Sequence, residues 1–107
     1  MGDIPHLNEL LVAHTCLQAM AVHLDVDGMV YDLLLSVSAS ESADADVVSV
    51  VFCDISHLAS HGLGGGLTQL MHLNVKKLDS GFDRMRYQLS DLEDGKLSFC
   101  FSSFLIV

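Results

Sequence analysis

Two Asp-Gly pairs, at 27–28 and 94–95, constrain this chain more than any other feature, because each is flanked by alternating residues. Ahead of the second pair, Met85, Tyr87 and Leu89 alternate with Arg86, Gln88 and Ser90. Beyond it, Leu97, Phe99 and Phe101 alternate with Ser98, Cys100 and Ser102. Period-two alternation places one set of side chains on each face of a strand, and Asp-Gly supplies the turn chemistry of a hairpin. The first pair repeats the arrangement. Met20, Val22 and Leu24 precede it, and Met29, Tyr31, Leu33, Leu35 and Val37 follow, set against Asp32 and Ser36. Val30 and Leu34 put apolar groups on the outer face as well, so this strand is expected to be covered on both sides. A hairpin with one apolar face is not stable alone in water; more sheet or a helix must cover it.

The other segments supply that cover. Residues 4–19 read either as a short helix carrying Leu7, Leu10, Leu11 and Val12, with Pro5 in its first turn, or as an extended lead-in around His14. Ala39 to Asp46 is a small, acidic loop. Val47 to Cys53 is a β-branched run of central-strand character. Asp54 to Leu58 breaks it, and Gly62-Leu63-Gly64-Gly65-Gly66 is the most flexible point. Alternation resumes over Leu70 to Leu78, Asp79-Ser80-Gly81 turns the chain, and Phe104-Leu105-Ile106-Val107 forms an apolar tail. The sum is one mainly-β domain over 1–107, with five to seven strands. An antiparallel meander curls into a small barrel or sandwich, with room for one short helix. The tail either pairs within the sheet or lies in a homodimer contact, and the homodimer is the preferred of the two.

Charge narrows the classes of partner. Fourteen acids face five bases, a formal net charge of −9, and residues 1–75 contain no Lys or Arg. That field opposes nucleic acid and anionic lipid, whose phosphates are bound through Lys and Arg. It favours a basic protein partner, with Asp25, Asp27, Asp32, Glu41, Asp44, Asp46 and Asp54 as the contact candidates because no nearby cation neutralises them. The competing explanation is solubility for a chain that is 50% hydrophobic. No apolar run approaches the roughly 20 residues that cross a bilayer, and no secretory signal is evident. The expected compartment is therefore the cytoplasm, with Cys16, Cys53 and Cys100 as reduced thiols.

Catalytic and metal signatures are sparse. Cys53, Asp54, His57 and His61 are the one local set of potential metal ligands, with His57 and His61 placed to share a helical face. The set lacks a paired second half, and no metal or other cofactor is expected. Gly62 to Gly66 lacks the Lys of a phosphate cradle, no Gly-x-Ser-x-Gly elbow occurs, and the turn aspartates are ordinary turn residues. Enzymatic activity is not expected. Lys76, Lys77, Arg84 and Arg86 form the basic patch, which either pairs across strands with the flanking Asp79 and Asp83 or meets the acidic part of a second copy.

His14 before the first strand, Val51-Phe52-Cys53-Asp54-Ile55 after a central one, and the aromatic Leu97-Ser98-Phe99-Cys100-Phe101 form a layout of their own. It resembles small acidic all-β immunity proteins of bacterial polymorphic-toxin systems. The resemblance implies a non-enzymatic protein that neutralises a basic toxin by covering its active surface. The alternative is a small-molecule- or metal-binding β-barrel using Cys53, Asp54, His57 and His61.

Overall fold

A computed structural model describes residues 3–42, 44–79 and 85–107. One helix, α1 (Ile4–Ala13), precedes eight strands: β1 (Cys16–Asp25), β2 (Val30–Ser38), β3 (Val47–Cys53), β4 (Ser56–Ser60), β5 (Leu73–Lys77), β6 (Tyr87–Asp91), β7 (Leu97–Phe101) and β8 (Ser103–Ile106). The helix starts where Asp3 accepts the His6 N–H at 2.8 Å, and Pro5 occupies its first turn, where a missing N–H costs nothing. It stops at His14, whose extended backbone leads into β1. Both readings of 4–19 therefore apply, one after the other. Among the described residues no helix is long and apolar enough to cross a membrane.

The strands form two antiparallel four-stranded sheets, ordered β1-β2-β3-β8 and β4-β7-β6-β5. Each contains a three-strand meander and one strand exchanged from the other half of the chain. Leaving β3, the chain crosses to pair β4 with β7; leaving β7, it crosses back to pair β8 with β3. The two crossings are tied together: the Ser102 N–H and hydroxyl both donate to the Cys53 carbonyl, at 3.0 and 3.2 Å.

The inner faces follow the alternation. Leu33, Leu35, Val37, Val50 and Phe52 of one sheet meet Leu73, Val75, Leu89, Leu97, Phe99 and Phe101 of the other, with Leu7 and Leu11 of α1 closing the core. Phe52 is fully buried between the sheets, its ring 5.0 Å from that of Phe99 and 4.8 Å from that of Phe101, both edge-on. On the outer face of the first sheet, Leu34 lies between Ala21 and Val51 in a cross-strand row that ends at Leu105. Leu34 and Val51 are half-buried, while Leu105 stays exposed.

Several expectations change. Among the described residues there are eight strands, above the expected five to seven, because Ser56–Ser60 pairs with β7 where a break was expected and the apolar tail forms β8. That tail takes the first of its two alternatives, pairing with β3 inside the sheet. The strand expected over Leu70 to Leu78 contracts to Leu73–Lys77. The two hairpins turn as expected but by different means. Gly95 takes the left-handed φ of 66°, whereas at the first turn the left-handed residue is Met29, φ 55°, rather than Gly28. Val26 to Met29 make a four-residue loop, and its last residue must reverse the chain's twist to enter β2. The expected turn at Asp79-Ser80-Gly81 lies partly outside the described residues.

Candidate functional site

β1 and β2 extend past the sheet that covers their inner face. Val22 pairs with Leu33 and Leu24 with Tyr31, so all four belong to the inner face by alternation. Leu33 is buried, but Val22, Leu24 and Tyr31 are 43%, 47% and 52% exposed. Val26 and Met29 in the turn are exposed as well. The result is a projecting hairpin arm whose apolar inner face continues beyond the core.

Acidic groups surround this arm. Asp25 ends β1, and Asp27 sits at the exposed turn. Asp32 lies on the outer face of β2 beside the corner residue Asp54, whose N–H it accepts at 3.0 Å. That bond ties the arm to the point where the chain leaves β3, and the Ile55 N–H adds a second tie at 2.8 Å to the Tyr31 carbonyl. Asp54 itself is held in the left-handed region at φ 54°, which Asp tolerates better than most residues. Asp32 therefore serves the fold as well as the surface charge.

The remaining candidates lie elsewhere. Glu41, Asp44 and Asp46 belong to the β2–β3 loop, at the opposite end of β2 from Asp25 and Asp27. Nine residues of strand separate the two groups, roughly 25 Å at about 3.3 Å per residue. The seven carboxylates thus form two patches rather than one surface, and only Asp25, Asp27, Asp32 and Asp54 share an end with the apolar arm.

The potential metal ligands are likewise separated. His57 and His61 were expected on one helical face, but His57 lies in the extended β4 and His61 directly follows it, some 13 Å apart along the strand. Both are exposed, while Cys53 and Asp54 are half-buried. Among the described residues no group of three or more His, Cys, Asp or Glu side chains is placed to hold a metal ion. Of the basic patch, Lys76 and Lys77 are exposed at the end of β5, opposite Gln88 and Tyr87, with Arg86 beside Leu78. Arg84 and Asp83 lie outside the described residues.

Two further polar devices were not anticipated. Asn8 of α1 reaches the outer edge of β5, where its side-chain amide donates to the Val75 carbonyl at 3.0 Å and accepts the Val75 N–H at 2.7 Å. It thereby stands in for a neighbouring strand. A polar residue one position after a buried Leu in a helix was the available signal, but not its target. Asp91 is nearly buried at the second hairpin. Burial alone would push its carboxyl up, yet N–H donors from Lys96, Asp94 and Glu93, at 3.0, 3.3 and 3.1 Å, and the Lys96 charge together hold it below its ordinary value.

Fold and surface together define a two-sheet antiparallel β protein with an acidic, apolar arm at one end. No protein-family model matches the chain, and neither does any curated protein or solved structure.

Proposed function

We propose that the protein is a non-catalytic binding module that captures a basic protein partner at the acidic end of its first sheet. One observation carries the reading: exposed Val22, Leu24, Val26, Met29 and Tyr31 stand among Asp25, Asp27, Asp32 and Asp54, in a segment with no Lys or Arg. Apolar area supplies the hold, and the exposed carboxylates of Asp25 and Asp27 steer a cationic surface into place. The partner class is a basic toxin, most naturally one acting on nucleic acid, and the protein is its cytoplasmic immunity partner; this step rests on the resemblance of layout.

The test is affinity capture from the source cell at low and high salt. A basic protein retained at low salt and released at high salt is the expected result; retention indifferent to salt refutes the charge argument. Genetically, loss of the gene should be tolerated only when the neighbouring toxin gene is removed too. Harmless deletion with that neighbour intact and active ends the immunity reading.

A further inference from the structure

The two sheets have four edges, and three of them are blunted. Asn8 occupies the edge of β5 at Val75. β4 has five residues, a register shift between Ser56 and Ala59, and a left-handed His57 at φ 54°, so it offers no straight ladder. β8 is four residues long. β1 is different. Only its start is covered, where the Leu17 N–H donates to the Thr68 carbonyl and the Leu70 N–H to the Thr15 carbonyl, and Cys16 bridges to Gln69. Just beyond, the pairing of β1 with β2 shifts register between Leu17 and Ala19. From Gln18 to Asp25, no described residue pairs with the outer backbone of β1, and this stretch contains no Lys or Pro to discourage pairing.

We infer that the β1 edge from Gln18 to Asp25 accepts an extended, cationic strand of the partner, which adds as a fifth strand to the first sheet. This deepens the binding-module reading and rests on it. Main-chain bonds supply a template for any strand, and alternate side chains supply the selection. On the inner face an incoming strand meets Val22 and Leu24, already half uncovered, and its apolar side chains would extend the layer that Leu33 begins. Near the arm's tip it meets Asp25 and Asp27, which select Lys or Arg. Charge also decides against a second copy of this chain as occupant. Its own β1 and arm hold no cation to set against those carboxylates.

The probe is a capped seven-residue peptide alternating Lys and Val, compared with a Glu/Val counterpart and a Lys/Val peptide carrying a central proline. Amide hydrogen exchange is followed on the 107-residue chain. The Lys/Val peptide should slow exchange at least tenfold across residues 18–25 at low salt, and the other two should leave it unchanged. Reversing the exposed turn charges, Asp25→Lys with Asp27→Lys, should weaken the Lys/Val peptide about tenfold while the protein stays folded. Equal protection by the Glu/Val peptide, protection confined to other strands, or no protection overturns the inference. So does protection of 18–25 that grows with protein concentration in the absence of peptide, since a second copy then fills the edge. If a basic partner is captured salt-sensitively yet leaves 18–25 exchanging freely, strand addition fails and the binding-module reading stands. If the peptide protects 18–25 but no salt-sensitive basic partner exists, the functional reading fails and the accepting edge stands.

Discussion

Replacing Asn8 by Ala isolates a contact that joins helix to sheet without touching the core. The amide makes two bonds to the Val75 backbone, at 3.0 and 2.7 Å, and Val75 is nearly buried. Each such bond contributes about 0.5–1.5 kcal/mol net, and a buried backbone group left unpaired sits at the upper end of that range. Against this loss, Ala is the better helix former by roughly 0.5 kcal/mol. The balance is a destabilisation of about 1–2 kcal/mol. With a urea dependence of roughly 1.5 kcal/mol per molar for a domain of this size, the unfolding midpoint should fall by about 1 M. The measurement is equilibrium urea unfolding followed by far-ultraviolet circular dichroism, with Glu9→Ala, exposed on the same helix, as the control. An Asn8→Ala midpoint within 0.3 M of the control would show that the β5 edge does not depend on this amide, and the reasoning about blunted edges would fail with it.

Phe52→Ala empties a fully buried site between Phe99 and Phe101 and should cost about 3–5 kcal/mol by urea or thermal unfolding, whereas Phe52→Leu should cost clearly less. Met29→Gly relieves a left-handed residue that is 73% exposed and should raise stability by about 1 kcal/mol, seen as a higher melting temperature. Because Asp91 sits below its ordinary carboxyl value in the folded state, its contribution is complete above about pH 4 and is lost as pH falls through the folded value. Asp91→Asn should therefore flatten the acid limb of a stability–pH curve measured between neutral pH and pH 2.5. Burial raises the Cys100 thiol and encloses Cys16, so a disulfide-exchange reagent at pH 8 should titrate at most one thiol in the native protein and all three in urea.

The hairpins at Asp27-Gly28 and Asp94-Gly95 were legible because alternation is a local property, and the central placement of β3 followed from a run of apolar, largely β-branched residues interrupted only by Ser49. The exchange of β4 and β8 was not legible, since pairing Ser56 with Cys100 or Phe52 with Phe104 depends on partners about fifty residues away. For the same reason Val22, Leu24 and Tyr31 read as core: their alternation matches that of Leu33 and Leu35. What exposes them is the limited reach of the opposite sheet, which no local pattern encodes. The acidic residues were legible as a composition but not as a surface. Two loops that adjoin in sequence, at 25–29 and 39–46, are held apart by the rigid length of β2.

The paired crossings between the sheets have a consequence for how the protein acquires its structure. β3 cannot gain its outer neighbour until β8, some fifty residues further along, has been made, and β4 waits in the same way for β7. A chain synthesised from one end therefore passes through a stage in which Val50 to Cys53 present an open, apolar edge. Closing loops of that length costs entropy before any contact rewards it, so folding belongs to the slower, millisecond-to-second class of β topologies. Once closed, neither sheet can be peeled away without taking a strand from the other half of the chain. Fragments divided in the glycine-rich loop at 62–66 would each lack the strand that finishes a sheet, and would reach the native arrangement only by finding one another.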